Sequence, residues 1–342
     1  MPRPTIADVA RAAGVSKGAV SFALNDRPGV SADTRERIIG VAESLGWTPN
    51  PGARALSTKR AHAVGLVLAR APEVLRADAF FPAFIAGLET VLSARDHALL
   101  LQVAERDDVG AYRRLAQEQR VDGVLVTDLH VDDVRPALLA DLGLPAVLIG
   151  PHLGTPPGPR QAVLGSDDAP AVRDTVRHLV DLGHRDIAHV AGPADLVHGR
   201  SRRLAWESAL AEAGLPVGPV VESDFSAESG GRATTTLLDR SPRPTAIVYA
   251  NDLMAMAGLA VAHERGLDVP GDLSITGFDD TELAAHLRPA LTTVRTDVVA
   301  WGRAAATRLL QLVDGDDDAP TPPVPEARVI VRDSTGPVPT TR

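Results

Sequence analysis

A large α/β body built on parallel sheets, preceded by a small all-α helix-turn-helix head, is the architecture this sequence predicts, and three observations carry it. From residue 61 to 335, short β-rich runs alternate with amphipathic helical stretches, the punctuation of βαβ units. The first sixty residues carry a series of helix start and stop signals instead. The charge is divided in the same way. Residues 1–60 hold nine Lys and Arg against five Asp and Glu, the remainder 26 against 39, within a net charge of -9. A basic head on an acidic body is expected where only the head meets phosphate, the body repelling nucleic acid and keeping the head towards it.

The length of 342 residues suits two or three domains. Cysteine is absent, which excludes disulfides and thiolate metal sites and fits a reducing compartment. No apolar run approaches the length that spans a bilayer, and the N-terminus carries a helix cap rather than a signal-peptide core. A cytoplasmic location without a membrane partner is the expectation.

In the head, Thr5 is placed to cap a short apolar helix with Asp8 as its capping-box partner, and Gly14 ends it. Ser16 caps a second helix after a turn of a few residues, the spacing of a helix-turn-helix whose second helix enters the major groove. Val20 and Leu24 are expected to pack on Ile6, Val9 and Ala10, leaving Lys17, Gly18, Ser21, Phe22 and Asn25 outward. Lys17 and Gly18 fall in the first turn, where base edges are met, and Ser21 and Asn25 can reach phosphates. Ser31 starts a third helix, ADTRERIIGVAESLG, whose Ile38, Ile39, Ala42 and Leu45 are expected to close the core. A three-helix packing module with no DNA role has the same local signals.

The segment that follows favours DNA. Asn50-Pro51 is a cap followed by proline at the first helical position. The helix it starts, PGARALS, spans about two turns, too short to be stable alone in water. Ala53 and Leu56 offer one small contact and one wedge able to enter a minor groove. The DNA-contacting set is therefore Thr5, Ser16, Lys17, Gly18, Ser21, Phe22, Asn25, Ser31, Ala53 and Leu56.

The body offers strand candidates VGLVLA, ALLLQVA, VDGVLVTD, PAVLIG, DIAHVAG, AIVYAN, SITGFDD and RVIVRDS, with helical stretches such as FIAGLETVLSARD and AVRDTVRHLVDLG between them. The Pro/Gly-rich PHLGTPPGPR (151–160) interrupts the run near its middle and suggests two lobes. Ligands of such sheets bind at the carboxyl ends of strands. Polar residues stand there without an evident packing role: Arg202 after VAGP, Asn251 and Asp252 after AIVYA, Asp279 and Asp280 after SITGF. A guanidinium, an amide and a carboxylate in one cleft suit the neighbouring hydroxyls of a sugar. Asp252 and Asp280 are read as helix caps, and Phe84, Phe278 and Trp206 as packing residues.

IADVARAAGVS, AVSFALN, GVSADTRERI and TPNPGARALSTKR, with AVGLVL, VDGVLV, LPAVLIG, GHRDIAHVAGP, AIVYANDLMAMAGL, DLSITGFDD, ALTTVRTD and VIVRDSTG in order behind them, resemble the lac repressor/galactose repressor family of bacterial transcription factors. The resemblance covers essentially the whole chain. It implies a head over 1–46, a hinge over 47–60, and an effector-binding and dimerisation body over 61–342. That body has two lobes of the periplasmic-binding-protein type, crossed three times by the chain, with the effector in the cleft. It places Phe80, Phe81, Arg202, Phe225, Asn251 and Asp279 at effector-contacting positions, three of them among only six phenylalanines in the chain. The function implied is a homodimeric repressor on a near-palindromic double-stranded operator, released by a small-molecule effector, a sugar. In this mechanism the hinge helix is ordered only on DNA, with Leu56 wedged at the centre.

Departures from the family leave alternatives open. Phe22 stands where some sugar repressors carry an arginine, and Gly18 has no side chain to read a base. Gly150 stands where some sugar-binding relatives have aspartate, which keeps a purine-responsive corepressor reading alive. A sugar-binding protein or enzyme on the same fold is the rival class. It lacks support, since GxSxG, HExxH, P-loop and GxGxxG strings are absent. His178, His184, His189 and His198 share no helix face, so hydrogen-bonded histidines are expected rather than a metal site. The acidic run DGDDDAPTPP lacks the glutamate of a calcium loop and is read as a solvated connection. The tail GPVPTTR carries no leucine heptads, so nothing in it supports a tetramerising coil. Neither cofactor nor catalysis is expected.

Overall fold

The computed structural model describes residues 4–24, 28–47, 60–70, 75–76, 78–104, 108–151, 157–165 and 167–339. Asn25, Ala53, Leu56 and the helix start at Asn50 lie outside the described residues. Contacts divide the chain into two compact units, Met1–Ala61 and His62–Arg342.

The first unit holds α1 (Ile6–Ala13), α2 (Lys17–Leu24) and α3 (Ala32–Ser44). The Thr5 amide and hydroxyl both donate to the Asp8 carboxylate, at 2.9 and 2.7 Å, and Gly14 closes α1 at a φ of 66°. Ser16 Oγ accepts from the Ala19 amide at 3.1 Å, and Ser31 Oγ from that of Thr34 at 3.4 Å. Val9, Ala10, Ala13, Val20, Ala23, Ile38 and Ala42 form the core, with Ile6 and Leu24 partly buried against it. Ile39 and Leu45 do not join it; they are 38% and 39% exposed. Inward positions recur three and four residues after Ile38, which brings in Val41 and Ala42 and turns Ile39 outward.

The second unit has two lobes. In the first, strands β1 (Ala63–Leu68), β2 (Ala98–Val103), β3 (Gly123–Val126), β4 (Ala146–Ile149) and β5 (Gln161–Leu164) form a parallel sheet in the order β2-β1-β3-β4-β5. The helices α4 (Phe80–Leu92), α5 (Asp108–Gln117) and α6 (Arg135–Asp141) connect its first four strands. In the second, β6 (Ile187–Ala191), β7 (Val220–Glu222), β8 (Ala246–Tyr249) and β9 (Ser274–Thr276) run parallel in the order β7-β6-β8-β9. Its helices are α7 (Ala169–Asp181), α8 (Val197–Glu212), α9 (Ala227–Leu238) and α10 (Asp252–Glu264). An antiparallel pair, β10 (Thr293–Arg295) and β11 (Arg328–Ile330), continues the second lobe through bridges Thr276–Thr292 and Asp279–Arg295.

The division between lobes falls after Leu164, not in the Pro/Gly-rich 151–160 stretch. Ala146 pairs with Gln161 in the same sheet, so that stretch links two neighbouring strands. Each of the eight strand candidates overlaps a strand. The three they omit are β5, β7 and β10, of three or four residues each. β3, β4, β6 and β8 are buried along their whole length, as parallel strands covered by helices on both faces must be.

Helix α11 (Val298–Asp314) returns from the second lobe to the first and packs against α4 and against β3, β4 and β5. The crossing is backbone to backbone. A Cβ on Gly302 would lie 2.3 Å from the Phe84 carbonyl oxygen, and one on Gly87 would lie 2.2 Å from that of Val299. Gly302→Ala is therefore expected to destabilise the body by about 1–3 kcal/mol through overpacking, read as a lower midpoint in urea. An unchanged midpoint would mean the two helices slide apart freely. Beyond α11, the acidic run is pinned at its start. Buried Arg308 donates to the Asp316 and Asp317 carbonyls, at 3.1 and 2.6 Å.

The histidines are hydrogen-bonded or packed. His184 meets Thr245, Ser274 and the Gly336 carbonyl, each at 3.0 Å, and His189 meets the Val248 carbonyl at 2.8 Å. His178 reaches Thr335 at 2.9 Å. Trp206 is buried and stacks on His189. Among the described residues, no three His, Cys, Asp or Glu side chains gather as a metal site. No helix of the described residues is long and apolar enough to cross a membrane.

Candidate functional site

Two surfaces offer chemistry. On the head, the buried Val20 and Ala23 place Lys17, Gly18 and Phe22 on the exposed side of α2, with Phe22 41% exposed and Ser21 half-buried beside them. Thr5, Ser16 and Ser31 stand exposed at the three helix starts, their hydroxyls engaged in the caps.

The second surface is a cleft between the lobes of the body, at the carboxyl ends of the parallel strands. Arg70 follows β1, Thr127 and Asp128 follow β3, and Gly150 follows β4. From the other lobe come Asn251 after β8, Asp279 after β9, and His198 and Arg202 from the first turns of α8. Asp78, Phe80, Asp168, Phe225 and Trp301 complete the walls. The lobes also meet directly beside it. The Val131 amide donates to the Asp195 carbonyl at 2.9 Å, and that of Val197 to the Leu129 carbonyl at 2.8 Å.

Four cleft residues have left-handed backbone: Asp128 at φ 50°, Gly150 at 147°, Phe225 at 68° and Asp279 at 121°. Such conformations disfavour a Cβ and persist where surrounding contacts hold them, commonly at ligand sites. Phe225 is held on one side by His198, whose ring stacks at 5.2 Å, and lies so close over Gly192 that a Cβ there would sit 2.2 Å from the ring.

Both guanidiniums are bound by carboxylates. Arg70 gives Nε and one terminal nitrogen to Asp128, at 2.6 and 2.5 Å, and the other terminal nitrogen to Asp78 at 2.7 Å. It sits 5.4 Å from the Phe81 ring centre and, across the cleft, 5.6 Å from that of Phe225. Arg202 pairs with Asp168 rather than Asp279, at 2.8 Å, donates to the Ala250 carbonyl at 2.7 Å, and lies 3.5 Å over the Phe278 ring.

Burial pushes the Asp279 carboxyl well above the usual range, with Arg202 opposing and Asp252 reinforcing. Burial likewise raises Asp78 against Arg70, whereas at Asp128 the Arg70 charge overcomes burial and holds the carboxyl below its usual range. Burial, aided by Arg202, pushes His198 down to about 3, so its ring is neutral.

Of the expected effector residues, Phe80, Arg202, Phe225, Asn251 and Asp279 line this cleft. Phe81 does not. One position along α4 turns it from the cleft into the first lobe's core, where it is 3% exposed and lies beneath Arg70. Asn251, not Asp252, caps α10. Its Oδ1 accepts from the Met254 amide at 2.9 Å, while Nδ2 donates to the Phe225 carbonyl at 3.0 Å and so holds that loop. Asp252 is wholly buried, accepts from the Thr281 amide and hydroxyl and the Thr293 hydroxyl, and is pushed up to about 6 by burial. Asp280 is not a cap either; Arg295 and Arg332 hold it in ion pairs. Phe278 and Phe84 are core residues.

Arg70, Asp78, Asp128, Asp168, His198 and Trp301 were not anticipated. The rule that placed Asn251 and Asp279 extends to Arg70 and Asp128, which also follow strands, whereas Arg202 lies not in the loop after β6 but in the second turn of α8. Trp301 carries no local signal. The cleft thus combines acceptor carboxylates, aromatic faces and neutralised guanidiniums, a set able to receive hydroxyl donors and to cover an apolar ring face.

The head, residues 5–50, matches the model of the bacterial regulatory proteins of the lacI family, and residues 176–335 match the periplasmic binding protein-like domain. The chain is 36% identical to the HTH-type transcriptional regulator CelR of Thermobifida fusca over 338 residues, covering 97% of this chain and 98% of the relative. Catabolite control protein A of Priestia megaterium is 33% identical, with 90% of this chain and 91% of the relative covered. Among solved structures, a transcriptional regulator CelR–cellobiose complex aligns with a TM-score of 0.73 at 34% identity, over 97% of this chain and 100% of the other. The lac repressor dimer bound to operator and the anti-inducer ONPF aligns with a TM-score of 0.85 at 30% identity, over 98% and 100%. These relatives are transcriptional regulators, not enzymes.

Proposed function

The chain belongs to the lacI family of bacterial regulatory proteins, and from that membership we propose that it is a cytoplasmic, homodimeric repressor whose operator affinity is lowered by a sugar held between the lobes. In this reading residues 1–46 form the DNA-reading head, 47–60 the hinge, and 61–342 the effector-binding and dimerisation body. Lys17, Gly18, Ser21 and Phe22 meet the operator from the outward side of α2, joined by Asn25, Thr5, Ser16 and Ser31, while Ala53 and Leu56 enter from the hinge. Phe80, Arg202, Phe225, Asn251 and Asp279 are the effector residues, with Asn251 acting through the Phe225 loop it holds.

One observation carries the proposal: in the same chain as a capped helix-turn-helix head, an aromatic and carboxylate-lined cleft collects the strand ends of both lobes. The CelR–cellobiose complex, similar over nearly the whole chain, makes a disaccharide of glucose the first sugar to try. Sugar binding changes lobe closure and removes the arrangement in which the hinges dock on DNA. By linkage, operator must then weaken the sugar by the factor with which sugar weakens operator.

The test selects duplexes from a random pool, then follows their release and the protein's melting point with cellobiose, maltose, trehalose, guanine and hypoxanthine. Enrichment of a near-palindrome, with one sugar raising the melting point and weakening DNA by tenfold or more, is expected. A shift confined to the purines would replace the sugar; no enriched duplex would remove the repressor reading.

A further inference from the structure

Among the described residues, the cleft contains no free positive charge. Four carboxylates, Asp78, Asp128, Asp168 and Asp279, face two guanidiniums, and His198 is neutral. Arg70 is held by Asp128 and Asp78 through three hydrogen bonds, and Arg202 by Asp168. Beside the guanidinium N–H groups left over, acceptor capacity remains unengaged. Asp168 is 4% exposed, and among the described residues its Oδ1 is buried without a partner while Oδ2 takes Arg202. Among the described residues, nothing donates a hydrogen bond to the Asp279 side chain. A buried carboxylate oxygen without a donor is costly and is satisfied by a ligand that brings one.

We infer that this cleft takes an uncharged, hydroxyl-rich sugar and excludes anionic ones such as sugar phosphates and uronates, with Asp168 both receiving a ligand hydroxyl on Oδ1 and withholding Arg202 from anions. The inference rests on the sugar reading above and narrows it. A phosphate entering the cleft would meet guanidiniums whose charge Asp78, Asp128 and Asp168 already neutralise, and would place a further anion beside those carboxylates. A neutral sugar brings no such charge. It donates to Asp168 and Asp279 and still accepts from the unused N–H groups of Arg70 and Arg202.

The experiment titrates the full-length protein with cellobiose, maltose and trehalose, each beside its 6-phosphate, and with glucuronate. Melting point and operator release are both followed. At least one neutral sugar should bind about a hundredfold or more tighter than its phosphate, which is about 2.8 kcal/mol of like-charge repulsion at 1.4 kcal/mol per tenfold. In Asp168→Asn the neutral sugar should weaken while its phosphate strengthens, so that the ratio falls below about tenfold. A phosphate binding within threefold of its neutral parent in the unaltered protein overturns the inference and leaves the sugar reading standing. So does an Asp168→Asn protein in which both weaken alike, the result of a merely structural role. Silence from every sugar, charged or not, removes the sugar reading and this inference with it.

Discussion

Deletion of residues 1–60 is expected to abolish operator binding while leaving sugar binding by the remaining body within about threefold of the full chain. The head carries the chain's basic excess, nine Lys and Arg against five Asp and Glu, whereas the residues left behind hold 26 against 39. Phosphate neutralisation supplies most of the non-specific affinity and makes it salt-dependent, so the intact protein should lose DNA on the order of 10³-fold between 50 and 200 mM salt. The truncated body is acidic, and salt should have nothing to act upon. It retains its own cores in both lobes, so its melting transition and response to sugar remain measurable. Residual, salt-sensitive binding by the truncated body would move the DNA site off the head.

The second large effect is expected at Asp279. Asp279→Asn should weaken the sugar by about ten- to a hundredfold, the worth of a hydrogen bond to a charged group, and leave operator affinity unchanged. The variant would repress without release. Asparagine is the informative replacement because the position has a φ of 121°, which asparagine tolerates better than alanine. The pH dependence has a definite sign. Burial holds the Asp279 carboxyl up, so the unliganded cleft favours its protonated form, while a sugar hydroxyl donates best to the ionised form. Sugar affinity should therefore rise with pH as Asp279 loses its proton, with proton release on binding, and Asp279→Asn should flatten the profile. A variant released by sugar as readily as the unaltered protein would take Asp279 out of the effector set.

The head was legible almost to the residue because its signals are local. Thr5 and Asp8, Ser16 and Ala19, Ser31 and Thr34 are each three apart, and the bonds between them form as written in the chain. Ile39 and Leu45 were misplaced because both are apolar and hydrophobicity alone does not rotate a helix. In the body, burial on both faces turns strands into apolar runs, which revealed eight of them and left three short ones, β5, β7 and β10, unmarked. The cleft was half legible. Strand ends pointed to Arg202, Asn251 and Asp279, but Arg202 takes Asp168, 34 positions away, and Arg70 takes Asp128 across 58. Neither partnership leaves a trace in spacing.

By itself, then, the sequence determined the small capped helices, the alternation that makes parallel sheets, and the split of charge between head and body, since all three depend on neighbours within a few residues or on composition. Only the tertiary structure decided which carboxylate neutralises which guanidinium, that Phe81 turns inward while Phe80 faces the cleft, and that Asp168 keeps an oxygen unmet. Those outcomes depend on how two sheets bring distant strand ends together in a space from which water is largely removed, where one pairing excludes another.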